Sequence, residues 1–116
     1  MSVSPSFRSF VLEQLARTTA GIRARSMFGG EGIYAAGLFF ALLDDDTLYF
    51  KVDDATRPQF EARGMAPFRP YGEDGEVMRY YEVPADVLED PEALGAWVEA
   101  ALAVARRAKA GRHHRL

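Results

Sequence analysis

The chain contains 116 residues with a mass of 12.9 kDa, which is the usual size of a single domain. Hydrophobic residues make up 48% of it, enough to bury a core, but no apolar run reaches the roughly 18 residues that cross a membrane. The absence of cysteine excludes a disulfide framework, a thiol nucleophile and thiolate-bound zinc. Since the N-terminus also lacks the charged-then-apolar order of a secretory signal, we expect a soluble cytoplasmic protein.

Charge is unevenly distributed along the chain, although its net value is only −3. Residues 1–28 carry four arginines against one glutamate, residues 29–99 carry 16 acidic and five basic side chains, and residues 100–116 carry only cations. An acidic body therefore lies between two basic ends. Such asymmetry indicates a contact with nucleic acid or an acidic protein, or else a solvated helix end. The cations of the last segment are Arg106, Arg107, Lys109, Arg112 and Arg115.

The first half of the chain predicts one helix and four strands. Ser4 and Pro5 are typical of an N-cap and a first helical position, and the apolar residues that follow recur on one helical face to about Arg17. Four β-rich runs then alternate with turn residues, at 22–28, 32–35, 38–43 and 47–52. Their connections are shorter than the roughly dozen residues of a parallel crossover, so we predict an antiparallel meander.

The second half predicts a short helix, a fifth strand and a long helix. Asp53 or Asp54 caps the short helix, which runs through Phe60 and Ala62 and is ended by Gly64. The fifth strand spans 77–83 and is followed by one helical turn at 85–88.

The long C-terminal helix is the clearest predicted element. Asp90 and Pro91 form its N-terminus, and apolar residues then recur at helical spacing until Gly111 ends the helix. The predicted fold is α+β, an antiparallel sheet flanked by an N-terminal helix, a short middle helix and a long C-terminal helix. We expect a single domain over residues 1–111 and a frayed basic tail over residues 112–116.

Catalytic and ligand-binding motifs are nearly absent from the sequence. His113 and His114 lie in the predicted tail, where nothing would hold a general base in place. The run 44–46 of three aspartates fits a solvated hairpin turn better than a metal cage, and the glycines at 29–32 fit a tight turn better than a phosphate loop. With no nucleophile–base pair either, we predict no enzyme, no cofactor and no metal site.

Aromatic residues are frequent in the predicted strands, where they favour sheet packing over a base-stacking platform. Such a platform also needs a positive groove, and these strands belong to the acidic segment of the chain. The residues concerned are Phe39, Phe40, Tyr49, Phe50, Tyr80 and Tyr81.

Ordered motifs extend over nearly the whole chain, from about residue 7 to residue 108. They are RSMFGGEGIY at 25–34, GLFFAL at 37–42, LYFKVD at 48–53, Thr56-Arg57, Phe60-Glu61, Gly64, Pro67, Phe68, Met78, Tyr80-Tyr81, Pro84, Leu94 and Trp97. Together these motifs resemble the N-terminal domain of the TfoX/Sxy family.

The resemblance implies a non-enzymatic domain associated with transcription regulation. Family members that govern natural competence act as coactivators with the cyclic-AMP receptor protein and carry a second, C-terminal helical domain, which we expect this chain to lack. We therefore expect a regulator or coactivator that acts by protein–protein contact, with the basic residues of 106–115 facing an acidic partner or a DNA backbone. Direct DNA contact and a homodimer formed through exposed sheet edges both stay open, and we expect no membrane partner.

Four polar residues of the shared motifs form a second candidate site. We expect Asp53 to cap the short helix and to accept a hydrogen bond from Arg57 or Arg25. The cluster then either specifies the fold or contacts a ligand or partner. Its members are Arg25, Lys51, Asp53 and Arg57.

An alternative function is a small-ligand or accessory module. It requires an aromatic-lined cleft between the sheet and the C-terminal helix. The aromatic residues expected to line that cleft are Tyr34, Tyr49, Tyr80 and Trp97.

Overall fold

A computed structural model of the chain describes residues 3–27, 29–69 and 79–114, the last four of these by their backbone alone. The elements are α1 (Pro5–Ala16), β1 (Ile22–Met27), β2 (Gly30–Ala35), β3 (Leu38–Asp44), β4 (Thr47–Lys51), α2 (Arg57–Ala62), β5 (Tyr80–Glu82), α3 (Ala85–Glu89) and α4 (Pro91–His114). This order confirms the predicted helix, four strands, helix, strand, short turn and long helix, and the fold is α+β.

The strands form one antiparallel sheet in the order β1-β2-β3-β4-β5. Two-residue turns join β2 to β3 at Ala36–Gly37 and β3 to β4 at Asp45–Asp46, and all four residues have φ between 50° and 81°. Positive φ at both central residues is the turn geometry that matches the right-handed twist of a hairpin. The predicted hairpin turn at residues 44–46 is confirmed.

A β-bulge in β3 decides which aromatic residues face inward. Ile33 pairs with Ala41 and Tyr34 pairs with Phe39, so that Phe40 is the extra residue. Because the bulge shifts the alternation by one residue, Phe40 is fully buried against the helices, whereas Phe39 lies on the opposite face with Tyr34.

All four helices contribute buried residues to one face of the sheet, which we call the inner face. Leu94, Val98 and Leu102, spaced by four residues along α4, are at most 3% exposed and pack against Phe40 and Phe50 of the strands. Burial of each such side chain contributes roughly 1.5–3 kcal/mol to the free energy of unfolding. α4 therefore holds the largest share of the helical side of the core.

The opposite, outer face carries a second apolar cluster. It is built by the strands and by Phe68, which arrives from the segment after α2. The Phe68 N–H donates to the Tyr80 carbonyl at 2.8 Å and the Glu82 N–H donates to the Ala66 carbonyl at 3.0 Å, so this segment closes the β5 edge. The members of this outer cluster are Met27, Phe39, Leu42, Tyr49, Phe68 and Tyr80.

Two predicted boundaries differ from the structure. The long helix does not end at Gly111, because the α4 backbone stays helical to His114. A glycine inside a helix costs only about 1 kcal/mol relative to alanine, so the good helix formers around it continue the turn. The short helix begins at Arg57, after an N-cap at Thr56 instead of at Asp53 or Asp54. The residues Val77 and Met78 of the predicted fifth strand lie outside the described residues.

Substitution of Gly30 by alanine is expected to lower the free energy of unfolding by about 1–3 kcal/mol. A Cβ at Gly30 would collide with the backbone carbonyl oxygen of Leu43, which is fixed in the β2–β3 pairing. Urea unfolding of the purified variant measures the change.

Gly95→Ala is the control of identical chemistry. The nearest atom to its new Cβ is the Cβ of Thr18 at 3.9 Å, and alanine inside a helix is favoured over glycine by roughly 0.5–1 kcal/mol. This variant should therefore gain stability. A Gly30→Ala variant as stable as the parent chain would contradict the close approach of the two strands.

Candidate functional site

The basic residues at the end of α4 stand on an exposed helical surface. Arg106 and Lys109 are exposed and form no ion pair with another described residue, whereas Arg107 is paired. Cations at this end of a helix are also favoured by the helix dipole. We call Arg106, Arg107 and Lys109 the α4 basic end. The side chain of Arg112 and the whole of Arg115 lie outside the described residues.

Arg107 connects the α4 basic end to the polar cluster. Its Nη2 donates to Oδ2 of Asp53 at 2.5 Å, with 57% of the Arg107 side chain and 27% of the Asp53 side chain exposed. The pair joins α4 to the loop between β4 and α2. The two predicted sites thus meet at one contact, and the expected partner of Asp53, Arg57 or Arg25, was wrong.

Asp53 also organises the loop that precedes α2. Its Oδ1 accepts the N–H of Ala55 at 3.1 Å and the N–H of Thr56 at 3.0 Å, while Oγ1 of Thr56 accepts the N–H of Asp53 at 3.0 Å. The hydrogen bond from Arg107 lowers the pKa of Asp53 below its ordinary value, and the Thr56 N–H adds to the effect. Asp53 is therefore ionised at neutral pH and holds both the loop and the end of α4.

Arg57 belongs to a neighbouring ion-pair group. Its Nη1 donates to Oδ1 of Asp54 at 2.8 Å, and Nη2 of Arg79 donates to the same oxygen at 2.9 Å. The hydrogen bond from Arg57 lowers the pKa of Asp54, and the charge of Arg79 lowers it further. Asp54 and Arg79 are largely exposed and the Arg57 side chain is one-third exposed, so the group orders the surface around α2.

The remaining two members of the polar cluster lie elsewhere. Arg25 is on β1, three strands away from β4, which is roughly 14 Å at the usual strand spacing, and it forms no ion pair with another described residue. Lys51 lies over the ring of Tyr80, with Nζ 5.4 Å from the ring centroid, a distance typical of a cation–π contact. The structure therefore brings only Asp53 and Arg57 near one another, on either side of the α2 N-terminus.

The aromatic residues expected to line a cleft under α4 are divided between the two faces of the sheet. Tyr49 and Tyr80 belong to the outer cluster, on the side away from α4. Trp97 packs edge-on against Phe60 of α2, with ring centroids 4.8 Å apart and an interplanar angle of 80°. Tyr34 lines a small cavity that Ala105 and Lys109 of α4 also border, but the other three aromatic residues lie elsewhere, so the four do not form the predicted cleft together. In the described ranges, no three acidic or histidine side chains converge on a metal position.

Sequence reasoning missed the contact of Asp53 with Arg107 and the position of Tyr34 beside Arg23. The first pair is separated by 54 residues, and no local pattern connects them. The second follows from the hairpin register, which places Arg23 opposite Tyr34. The spacing of Arg23 and Arg25 by two residues indicates that both side chains lie on one face of β1. The net charge of a segment does not show this.

The fold and the site define an α+β domain whose helices cover one face of an antiparallel sheet. Its candidate sites consist of ion pairs and packing contacts, with no assembled catalytic group among the residues described above. The model of the TfoX N-terminal domain family matches residues 13–105, and the chain belongs to this family. It is not a known enzyme family. A search of curated proteins found no match. No helix in the described part of the chain is long and apolar enough to cross a membrane.

Asp53→Asn is expected to lower the free energy of unfolding at neutral pH by up to about 1 kcal/mol, the value of a partly exposed ion pair. Because the pKa of Asp53 is lowered by folding, this contribution is complete above the unfolded value of about 3.9. It is lost as the pH falls through the lower, folded pKa. Urea unfolding of both proteins from pH 7 down to about pH 2.5 should therefore show the difference closing.

A double-mutant cycle provides the control for this pair. If the charge of Arg107 acts on Asp53, Arg107→Gln combined with Asp53→Asn should cost less than the sum of the single changes. Glu99→Gln on an exposed face of α4 should leave stability unchanged. Additive effects in the cycle, or a difference that persists at low pH, would show that the ion pair contributes nothing.

Proposed function

We propose that this chain is a non-catalytic, cytoplasmic regulator or coactivator of transcription, of the kind that serves competence-type genes, and that it acts by protein–protein contact. Its membership of the TfoX N-terminal domain family supports a role in regulation. The observation that carries the contact is the α4 basic end. It presents the exposed positive charges of Arg106 and Lys109 on the surface of a helix.

The geometry of the α4 basic end suits a small acidic surface on a partner protein. Arg106 and Lys109 are three residues apart on a helix and therefore neighbours on its surface. Arg107 anchors this end of α4 to Asp53, so the two exposed cations are held at a fixed position relative to the sheet. Complementary charge at an interface speeds association and sets its dependence on salt more than it adds affinity.

A duplex DNA backbone is the competing partner for the same cations. Residues 29–99 carry 16 acidic side chains against five basic ones, and this excess repels a phosphate backbone. A partner with a local acidic patch needs to approach only the helix end. We therefore favour a protein over duplex DNA.

Arg106→Glu is expected to weaken binding to the partner protein roughly five- to tenfold, because the reversal replaces an attraction of up to about 1 kcal/mol by repulsion. Two purified candidates are tested by biolayer interferometry on the immobilised chain, namely cyclic-AMP receptor protein with cyclic AMP and RNA polymerase. The first is the partner that the family resemblance implies. The loss should appear in the association rate and shrink at high salt.

Arg17→Glu is the matched control, since it makes the same charge change at the exposed end of α1, and should leave binding unchanged. A duplex DNA titration at low and high salt runs in parallel. The proposal fails if neither protein binds at low salt, if Arg17→Glu weakens binding as much as Arg106→Glu, or if duplex DNA binds more tightly than both proteins.

A further inference from the structure

The outer face of the sheet carries two arginines on its β1 side. Side chains alternate between the faces of a strand, so Arg23 and Arg25 share a face with Met27. A Cβ at Gly32 would collide with the side chain of Met27 and lie 3.0 Å from the ring of Phe39, which places Met27 and Phe39 on the same side of the sheet. Both arginines are exposed and form no ion pair with another described residue.

An aromatic pair lies directly beside these arginines. Tyr34 is the cross-strand neighbour of Arg23 on one side and of Phe39 on the other. The rings of Tyr34 and Phe39 are stacked, with centroids 4.9 Å apart and an interplanar angle of 21°. Both side chains are partly exposed, so a ring surface faces outward between β1 and β3.

Among the described elements, no helix covers this half of the outer face. All four helices contribute buried residues to the core of the inner face. Phe68 covers the other half, where its ring packs against Tyr49 with centroids 5.0 Å apart. The solvated face of an antiparallel sheet is usually polar, so the open aromatic pair needs a reason beyond packing.

Charge divides the outer face in the same way as exposure. Glu82 lies on its other side, as the cross-strand neighbour of Tyr49 on β4, and Asp44 lies at the far end of β3. Burial raises the pKa of Tyr49, and the negative charges of Glu82 and Asp44 raise it further. These negative charges repel phosphate groups, whereas the arginines of β1 attract them.

A shallow cavity continues the aromatic surface to the turn between β2 and β3. It has a volume of about 260 Å³, and Lys51 and Lys109 stand on its rim beside Tyr34 and Phe39. Aromatic rings next to cations are the two elements from which sequence-tolerant binding of single strands is built. The cavity therefore adds a place for a base and two positive charges for its phosphates.

We propose that the β1–β3 half of the outer face binds single-stranded nucleic acid. A base stacks on the partly exposed ring of Tyr34, and the neighbouring phosphates contact Arg23 and Arg25. Lys51 and Lys109 lie at the other end of the path, by the cavity. The surface consists of Arg23, Arg25, Tyr34, Phe39, Lys51 and Lys109, and we call it the β1–β3 surface. This surface shares Lys109 with the α4 basic end and is otherwise made of different residues.

The test measures fluorescence anisotropy of a labelled strand of about ten thymidines, within the ~4–16 nucleotides that oligonucleotide-binding domains occupy. The full chain is titrated at several salt concentrations, and a uridine strand of the same length compares RNA with DNA. A phosphate contact on a single strand lowers the logarithm of the binding constant by about 0.7 per logarithm of salt. With Arg23 and Arg25 engaged we expect a slope of about −1.4 or steeper.

Substitutions separate stacking from charge. Tyr34→Leu keeps apolar bulk but removes the ring and should weaken binding roughly tenfold, whereas Tyr34→Phe keeps the ring and should stay within about twofold. Arg25→Glu should weaken binding and flatten the salt slope by about 0.7 or more. Arg17→Glu, with the same charge change on the helical side of the molecule, should do neither. Circular dichroism and urea unfolding of each variant confirm that it folds.

Four results would overturn the inference. They are no binding to either strand at low salt, equal binding of a duplex of the same length, full competition by free thymidine monophosphate at the same molar concentration, and equal losses in Arg17→Glu and Arg25→Glu. Since none of these measurements involves a protein partner, failure here leaves the proposed protein contact untouched. Conversely, Arg106→Glu tests that contact at a residue outside the β1–β3 surface.

Discussion

The packing of α4 across β3 and β4 is the interaction on which the rest of the structure depends. Leu94, Val98 and Leu102 fill the inner face of the sheet, and α1 and α3 also contact α4 there. A helix of 24 residues is longer than this contact needs, so its last turns extend beyond the core. The ion pair of Arg107 with Asp53 forms because these last turns of α4 lie beside the loop after β4. The packing of α4 on the sheet thus determines the position of the α4 basic end.

Placing every helix on one face leaves the other face of the sheet to its own side chains. Phe68 and the segment around it cover the β5 half and close that edge by backbone hydrogen bonds. On the β1 half, the solvent-accessible residues include two arginines and the stacked pair of Tyr34 and Phe39. In a single antiparallel sheet, helices can bury one face while the other faces water. The residues of the second face are therefore less constrained by core packing.

The fold could be predicted from local patterns, whereas the site depends on distant contacts. The apolar spacing that begins at Leu94 predicts α4, and short polar connections predict the antiparallel order, because both signals lie within a few residues. The bulge at Phe40 has no such signal, and it alone decides that Phe39 joins Tyr34 on the outer face. Asp53 finds Arg107 only after α4 has docked. The net charge of each segment does not show that Arg23 lies beside Tyr34, because the two residues are neighbours only through the pairing of β1 with β2.

The two surfaces proposed for binding overlap at one residue. Lys109 belongs to the α4 basic end and also stands on the rim of the cavity that continues from Tyr34. One ligand at the helix end would therefore change the electrostatic potential felt by a second ligand on the sheet, and salt would screen this effect. An acidic protein at α4 would offset the charge of Lys109 and weaken the hold on phosphates, and a nucleic acid strand would do the reverse. By linkage the two effects are equal in free energy. The placement of one lysine between two faces thus couples the two proposed contacts, so that each weakens the other.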